Sequence, residues 1–399
     1  MKKIKRLLVV AAMALALGAA SKAQSQAAVT GVKQVDDSTS SVTVKCDAVL
    51  QANYYYLEMS TDKVNWVYMD VSSNPNSLYT SGLTAGRTYY ARVGICDDWE
   101  YVNSVQIPTN PREVSAVTDI VTAPSGYPKV TQTKAATKSF SVVINGMTGA
   151  NYYCVNYNNL TLAQGASNKL TTANILLPGT GYWIRAYAGR RSSSGYIAYG
   201  SYDYEKMQTL ANAIPKGSFG ITSAYMYIDS YTFSVASNNL DVDGWQWQLT
   251  NAKGNKVLKS GQGSSFSTSL KGTFYKYRVR SYVECGTGKS YSAWSTFKTV
   301  AIPSSVSGRR VGKKALRVSI GKVSGATKLA VYISTSEKSG FKKVKTLSAK
   351  KRTLTIKKIG KKKLKTGKTY YVKIVPMAKV GKKTIKAQTY AVYNFKLYK

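Results

Sequence analysis

Apolar and polar residues alternate in short runs along this chain, and each run predicts a β-strand with one buried face. In residues 89–95 the odd positions hold Tyr, Ala, Val and Ile, whereas the even positions hold Tyr, Arg and Gly. Residues 370–374 alternate in the same way, with Lys on the second face. Further strands are predicted at 41–45, 54–59 and 66–68, and Trp245 and Trp247 lie on another. Past the N-terminal segment, no long stretch has a helical period, so the prediction is an all-β protein.

A Leu that precedes a Tyr by five or six residues opens one of these strands at four places. The four copies are Leu83 to Tyr89, Leu176 to Tyr182, Leu270 to Tyr275 and Leu364 to Tyr370. Their tyrosines are 93, 93 and 95 residues apart. A period of this length matches an immunoglobulin-like β-sandwich of about 100 residues, which can bury a small core. We therefore predict four tandem sandwiches, each with a tyrosine that turns its hydroxyl back to a loop.

These motifs resemble the fibronectin type III modules of secreted bacterial cell-surface proteins. The resemblance is strongest at 322–326, 331–344 and 364–371, and it continues at 59–62, 83–90 and in the Leu-x-Pro-x-Thr-x-Tyr run at 176–182. The third copy departs from the pattern because its Leu270 to Tyr275 spacing is one residue short. Ile320 also stands where the family usually has a second-strand Trp. The resemblance implies the sandwich fold and does not specify a function, because such folds have many roles.

The predicted domains follow from the repeats and from prolines at their joints. They are a signal peptide at 1–27, module 1 at 28–109, module 2 at 110–212, a divergent module 3 at 213–302 and a strongly basic module 4 at 303–399. The signal peptide is indicated by four Lys or Arg within residues 2–6, an apolar stretch at 7–20 and small residues before 28. We expect a secreted protein without a transmembrane segment.

Export permits disulfides, and the chain has four cysteines. Cys46 and Cys96 end two strands that finish at the same pole of module 1, so a bridge between them is feasible. Strand parity places Cys96 off the core face, which argues against a buried bridge between the sheets. Cys154 and Cys285 belong to different modules and are expected to be free thiols.

Catalytic chemistry has little support in this sequence. The chain has no His and 18 carboxylates, so the commonest general base and metal ligand is absent. The densest acidic run, Asp97 to Glu100, is predicted to lie in a loop after the sixth strand, as a solvated turn or a calcium site. Phosphate-binding loops, nucleophile elbows and zinc spacings do not occur. We expect no enzyme, no cofactor and no metal site.

Aromatic residues offer a binding surface of their own, since the chain has 31 Tyr and 6 Trp. Exposed rings could stack on sugars, whereas tyrosine is also a good strand former and many rings must face a core. The candidate rings are Tyr54, Tyr55, Tyr56, Trp66, Tyr196, Tyr199, Tyr202 and Tyr204.

The charge of module 4 is the most unusual feature of the composition. Residues 304–399 contain 28 Lys or Arg and one acid, Glu337. This segment therefore contributes +27 to the chain's net charge of +39. Such self-repulsion favours a polyanionic partner. The candidate anion-binding residues are Lys342, Lys343, Lys345, Lys350, Lys351, Arg352, Lys357, Lys358, Lys361, Lys362, Lys363 and Lys365.

The sequence thus predicts a secreted, non-enzymatic, cell-envelope-associated binding or adhesion protein. Its basic module would dock to an anionic wall polymer, an acidic glycan or lipid headgroups, and modules 1–3 would present a surface for a protein or carbohydrate ligand. Nucleic acid is not expected, because no base-reading element is evident. The alternatives are a carbohydrate-binding accessory protein that uses exposed aromatics and a passive structural spacer.

Overall fold

The structure is a computed structural model that describes residues 29–225, 230–236, 240–270, 272–380, 383–387 and 392–398. The predicted signal peptide lies outside the described residues. The fold is all-β, as predicted. A single 3-10 turn, Lys216–Ser218, is the helical element of the described part. Among these residues no helix is long and apolar enough to cross a lipid bilayer.

Contacts within the chain divide it into two compact units. Of the described residues, one unit contains those within 29–134, 139–174 and 182–207, and the other contains those within 135–138, 175–181 and 208–398. In both units the sheets come in pairs, in which a three-stranded sheet precedes a sheet of four or five strands.

The first sheet pair belongs to the first unit and contains most of the strands before residue 122. Its strands and those of an attached hairpin are β1 Lys33–Asp37, β2 Ser41–Lys45, β3 Tyr54–Ser60, β4 Val67–Ser72, β5 Leu78–Ser81, β6 Thr88–Cys96, β7 Asp98–Val102, β8 Val105–Thr109 and β9 Thr118–Val121. The sheets have the orders β1-β2-β5 and β4-β3-β6-β9. Val42 and Val44 of one sheet pack against Leu57, Val93 and Ile95 of the other in one core. This packing makes the pair a β-sandwich.

Two features of this pair differ from the prediction. The run Asp97 to Glu100 is not a loop, because Asp98–Val102 pairs with Val105–Thr109 in a two-stranded hairpin. Asn103 and Ser104 turn this hairpin with φ of 51° and 67°, as a two-residue turn between twisted strands requires. In addition, Thr118–Val121 pairs with β6. A first boundary after residue 123 therefore fits the pairing better than the predicted one at 109/110.

The second sheet pair also lies mainly in the first unit. Its strands are β10 Lys129–Ala135, β11 Phe140–Asn145, β12 Tyr152–Tyr157, β13 Leu160–Gly165, β14 Lys169–Thr171, β15 Gly181–Arg191 and β16 Ile197–Gln208. The sheet orders are β10-β11-β14 and β13-β12-β15-β16. The Phe140 and Tyr182 rings meet across the two sheets at 6.4 Å between centroids. The sandwich arrangement therefore recurs here.

The third sheet pair lies in the second unit. Its strands are β17 Phe219–Tyr225, β18 Ser230–Val235, β19 Gly244–Asn251, β20 Val257–Gln262, β21 Ser265–Thr268, β22 Phe274–Cys285, β23 Gly288–Tyr291 and β24 Lys298–Ala301. Phe233 of one sheet packs against Tyr277 of the other, with ring centroids 4.5 Å apart. Leu270, the Leu of the short third copy, is fully buried, so the copy keeps its core residue despite the altered spacing.

The fourth sheet pair follows in the same unit. Its strands and those of a short hairpin are β25 Val306–Val311, β26 Ala315–Ile320, β27 Lys328–Ser334, β28 Lys342–Ser348, β29 Thr353–Ile356, β30 Lys358–Ile359, β31 Lys362–Lys363, β32 Thr369–Val380, β33 Lys383–Lys386 and β34 Val392–Lys396. The core joins Val318 and Ile356 of one sheet to Val331 and Val372 of the other. Ile320, in place of the usual Trp, is buried in this core.

The predicted tyrosine corner is formed at Tyr89 and at Tyr370. The Tyr89 hydroxyl accepts the backbone N–H of Thr84 at 2.8 Å. The Tyr370 hydroxyl accepts the N–H of Lys365 at 2.6 Å. In each case the tyrosine ring packs at the core and its hydroxyl ties down the loop that leads into the strand.

Candidate functional site

The candidate anion-binding residues are all exposed on the fourth sheet pair. Three of them, Lys342, Lys343 and Lys345, lie on β28. This strand forms the edge of its sheet, with the order β28-β27-β32-β33. Leu347 of the same strand is buried in the core, whereas these three lysines are exposed at the sheet edge. Lysine on an edge strand also discourages pairing with another sheet.

The structure brings one subset of these lysines together at a single pole. Five of them lie on the hairpin β30–β31 and the loop to β32, and Lys357 directly precedes the hairpin. Lys342 at the start of β28 lies over Gly360 of that hairpin, with its Nζ 3.6 Å from the Cβ position there. We call this subset the corner lysines: Lys342, Lys343, Lys357, Lys358, Lys361, Lys362, Lys363 and Lys365. One of them, Lys365, is the residue whose backbone N–H donates to the Tyr370 hydroxyl.

A second subset lies apart from the corner lysines. Lys350, Lys351 and Arg352 occupy the turn between β28 and β29, where the backbone N–H of Lys351 bonds to the Ser348 carbonyl at 2.9 Å. They follow the opposite end of β28, which has seven residues. At about 3.3 Å per residue, the two subsets are roughly 20 Å apart along the strand. The twelve candidates therefore form two positive groups, and Lys345 lies between them.

Almost all charged side chains of this sheet pair are positive. Glu337 is the one carboxylate in residues 304–399, against 28 Lys or Arg, so nearly every cation lacks a local counter-charge. A folded surface normally carries both signs. The free energy of the compact state is raised by this repulsion unless an external anion screens it.

An aromatic surface lies on the outer face of the second sheet pair, in the other unit. Trp183 of β15 and Tyr204 of β16 stack at 5.5 Å between centroids and 23° between planes. Both side chains are about half exposed, at 52% and 54%. Tyr202, which is also exposed, lies beneath the Arg185 guanidinium, 5.4 Å from its ring centroid. Together with Arg185, these rings form an exposed aromatic surface with one positive charge.

Sequence reasoning identified Tyr202 and Tyr204 and missed Trp183. The signal was available, because Tyr182, Ile184 and Ala186 are core positions of β15 and the residues between them must face outward. The other candidate rings are less open. Tyr55 and Tyr56 are buried, Tyr54, Tyr196 and Tyr199 are partly buried, and Trp66 is covered by the Arg92 guanidinium at 4.2 Å.

A ladder of arginines and aromatic rings on the third sheet pair was not foreseen. Arg280 stacks on Tyr291 at 3.9 Å and on Trp294 at 4.3 Å. Arg278 stacks on Trp294 at 4.5 Å, and burial lowers the pKa of both guanidinium groups from their ordinary value. The signal was the alternation of basic residues on β22 combined with rings at a three-residue spacing. Because each guanidinium is already covered, we assign the ladder to stability.

The acidic run after β6 is engaged by the protein itself. Asp97 forms an ion pair with Arg112 at 2.8 Å, and Asp98 accepts the backbone N–H of Trp99 at 2.8 Å. Within the ranges that the structure describes, no group of three or more His, Cys, Asp or Glu is placed to hold a metal ion.

The two cysteines of the first sheet pair are separate, buried thiols. Cys46 packs in the core between the sheets, whereas Cys96 packs with Tyr56 and Trp99 in another cluster. Cys96 therefore lies outside the core between the sheets, as strand parity predicted, and Trp99 of the hairpin packs against its cluster. Because the two thiols belong to different clusters, the arrangement does not support the candidate disulfide. Burial raises the pKa of each thiol to about 11.

Comparison with known proteins adds a likeness of fold. No family model matches the chain, and no curated protein matches it. The solved FN1–FN3 domains of chicken CNTN1 match 94% of this chain and 100% of their own length, with 10% identity and a TM-score of 0.21. The central fibronectin-III array of RIM-binding protein matches 68% of this chain and 96% of its own length, with 14% identity and a TM-score of 0.20. TM-scores this low support no inference about the function of this chain. The paired sheets of the structure are the arrangement that the sequence resemblance to tandem fibronectin type III modules predicted.

Proposed function

We propose that this chain is a secreted, non-enzymatic binding protein of the cell envelope, which docks to an anionic wall polymer through its most basic module. It would consist of four fibronectin type III-like modules, at about 28–123, 124–212, 213–302 and 303–399, after a signal peptide at 1–27. The observation that carries the proposal is the exposed and uncompensated charge of the fourth sheet pair, where all twelve candidate residues face solvent.

The physical argument starts from counterions. A polyanion that meets several exposed lysines releases the ions condensed on it, so its affinity falls steeply as salt increases. Each lysine near an anionic surface contributes up to about 1 kcal/mol. The eight corner lysines on one pole are therefore enough for stable docking without any shaped pocket. Two separate positive groups suit an extended polymer better than a small anion, since a polymer can contact both.

The experiment measures retention of the purified protein on cell wall with and without its anionic polymer, over a salt series. We expect retention that requires the polymer and is lost at high salt. A triple change of Lys361, Lys362 and Lys363 to Gln should weaken binding and reduce the salt slope. The matched control changes Lys129, Lys169 and Lys256, which are exposed elsewhere, and should retain binding. Equal weakening by both triples, or retention that ignores salt, contradicts docking by this surface.

A second candidate function is carbohydrate binding, favoured by the exposed stack of Trp183 on Tyr204. Flat rings held by a rigid sheet provide contact area at low entropic cost. This candidate predicts glycan retention that persists at high salt and is lost in Trp183→Ala. Tyr101, which is 67% exposed on the β7–β8 hairpin, provides the control Tyr101→Ala. Unchanged retention in Trp183→Ala would remove this candidate.

A further inference from the structure

The glycine in each of the four Leu-to-Tyr loops has the same backbone role. Gly86, Gly179, Gly272 and Gly367 all have positive φ, at 65°, 63°, 71° and 79°. Each donates its backbone N–H to a carbonyl just after the last strand of the same sheet pair. The four acceptors are the carbonyls of Ala123, Leu210, Ile302 and Leu397, at 2.9, 3.0, 3.0 and 2.5 Å. We call these residues the corner glycines.

At the first three corner glycines, the loop between the second and third strands of the following sheet pair packs against the glycine. Within the first unit, a Cβ at Gly86 would lie 2.9 Å from the Cα of Gly149. Within the second unit, the N–H of Asp241 donates to the Gly179 carbonyl at 2.9 Å, and the N–H of Ser324 donates to the Gly272 carbonyl at 2.7 Å. Each corner glycine is thus a socket for a loop.

The fourth socket is open in the described residues. Gly86 and Gly179 are buried and Gly272 is partly buried, whereas Gly367 is exposed. A Cβ at Gly367 would meet nothing within 4 Å. Tyr398, which follows the hydrogen-bonded Leu397, is 68% exposed. At the second socket the corresponding residue is Ala211, which lies beside the glycine, 3.2 Å from its Cβ position.

A loop without a socket lies on the first sheet pair. Leu50 and Gln51 occupy the loop between β2 and β3, at the place that Leu240 and Asp241 take before β19. Leu240 sits on its socket, with its Cδ2 2.8 Å from the Cβ position of Gly179. Leu50 is 91% exposed, although it is the same residue type in the same loop. A large aliphatic side chain so exposed lacks the partner that its counterpart has.

We propose that these two unpaired surfaces bind each other between copies of the chain: the Leu50 loop of one copy occupies the Gly367 socket of a second copy. The three joints inside the chain show the geometry that the contact would repeat. Leu50 would pack beside Tyr398 as Leu240 packs beside Ala211. The proposal goes beyond polymer docking and requires no polymer.

The charges of the two surfaces are complementary. Residues 28–109 contain nine carboxylates against five Lys or Arg, in a chain that is otherwise strongly basic. Tyr54 of β3 pairs with Cys96 of β6, and Asn53 donates to the Asp97 carbonyl at 3.1 Å. The Leu50 loop therefore shares its pole with the acidic run, in which Asp98 and Glu100 are exposed. The socket at Gly367, by contrast, is flanked along the chain by the exposed Lys365 and Lys368 and lies in the loop that follows the β30–β31 hairpin.

The expected association is weak, salt-sensitive and open-ended. One loop in one socket buries far less than the roughly 1,200 Å² of a stable interface, so electrostatic attraction must supply much of the affinity. The two surfaces are different, so each copy keeps one free loop and one free socket after pairing. Contacts of this heterologous type form chains or rings.

Sedimentation velocity of the purified protein, over a concentration series at low and high salt, tests the proposal. We expect concentration-dependent species larger than the monomer at low salt, and monomer at high salt. Leu50→Lys adds a positive charge to the loop and should abolish the larger species. Val64→Lys, at the other end of β3 and 77% exposed in the native chain, is the matched control and should leave them intact. A monomer at every concentration, or equal effects of the two variants, overturns the proposal.

Disulfide trapping tests the geometry directly. A mixture of Leu50→Cys and Tyr398→Cys chains should form covalent heterodimers under mild oxidation, whereas Val64→Cys with Tyr398→Cys should not. Three of the four native thiols are buried and Cys285 is half-buried, so the introduced thiols are the more accessible. Equal yields from both mixtures would contradict the proposed docking. A protein that binds wall polymer but fails both tests retains the proposed function and loses this inference.

Discussion

The Tyr370 hydroxyl accepts the backbone N–H of Lys365 at 2.6 Å, and this bond fixes the lysine-rich loop next to Leu364, which is buried in the core of the sheet pair. The ring of Tyr370 is buried among core residues, so the hydroxyl has a fixed position. Tyr89 holds Thr84 in the same way. The loops that carry Gly86 and Gly367 are therefore each anchored by a tyrosine that packs at the core.

Removing this hydroxyl should destabilise the fourth sheet pair. Tyr370→Phe keeps the ring and leaves the Lys365 N–H without its partner, so we expect the free energy of unfolding to fall by about 1 kcal/mol. Urea unfolding measures the change. Tyr398→Phe, at a side chain that is 68% exposed, is the control and should change little. Equal stability of both variants would show that the corner bond contributes nothing.

The close approach at Gly86 should be visible as an added cost of a methyl group. Both Gly82→Ala and Gly86→Ala place a side chain at positive φ, at 76° and 65°, which costs about 1 kcal/mol. A Cβ at Gly82 meets nothing within 4 Å, whereas one at Gly86 meets the Thr148 carbonyl at 2.7 Å. We therefore expect Gly86→Ala to lower the free energy of unfolding more than Gly82→Ala. Identical denaturation curves would mean that the Thr148 loop shifts to admit the methyl group at position 86 without lowering the free energy of unfolding.

The Glu58–Arg92 and Asp97–Arg112 ion pairs should differ in strength. Glu58 is 8% exposed and pairs with Arg92, whereas Asp97 and Arg112 are 43% and 48% exposed. Glu58→Gln leaves a partly buried guanidinium without its charge partner and should cost about 2 kcal/mol. Asp97→Asn should cost less than about 1 kcal/mol, because solvent screens an exposed pair. Chemical denaturation of both variants measures the two losses of unfolding free energy. A larger loss in Asp97→Asn than in Glu58→Gln would contradict the prediction.

The buried thiols predict both slow chemistry and a dependence of stability on pH. Burial, with a smaller contribution from Asp47, raises the pKa of Cys46 to about 11 from 9.0. Burial, with Asp97 and Asp98 next, does the same for Cys96. Because the folded pKa exceeds the unfolded one, the thiols contribute stability that is complete below about pH 9 and is lost as pH rises toward 11.

At pH 8 both thiols should therefore react slowly with a thiol reagent until urea unfolds the chain, while the half-buried Cys285 reacts first. Serine replacements at 46 and 96 identify the slow sites in mass spectra of the labelled protein. Rapid labelling of Cys96 in the folded protein would show that Trp99 does not protect it.

Most strands could be predicted from the sequence because their signal is local. The alternation in 89–95 depends only on which neighbouring residues are apolar, and the structure buries Ala91, Val93 and Ile95 as expected. The hairpin after β6 was missed because consecutive carboxylates resemble a solvated turn. Its pairing depends on Asn103 and Ser104, whose positive φ is not evident from their residue types.

The candidate sites were likewise predictable where their signal is local and were missed where they depend on strand pairing. The exposed lysines were predictable because their number alone exceeds what a core can hold. The stack of Trp183 on Tyr204 was not, because it depends on the register of two strands separated by a loop. The role of the corner glycines was hidden for a similar reason: each motif is local, whereas the loop that fills it lies about 60 residues further along the chain.

The joints at Gly179 and Gly272 are made largely by main-chain atoms, N–H to carbonyl. Main-chain atoms are common to every residue type, so these two hydrogen bonds do not depend on the identity of the residues that form them, although Leu240 and Ala211 also pack at Gly179. A sheet pair can therefore change its outward-facing residues without breaking these two hydrogen bonds. The surfaces of the copies are then free to diverge, one toward tyrosine and another toward lysine, while the joint between them remains compatible.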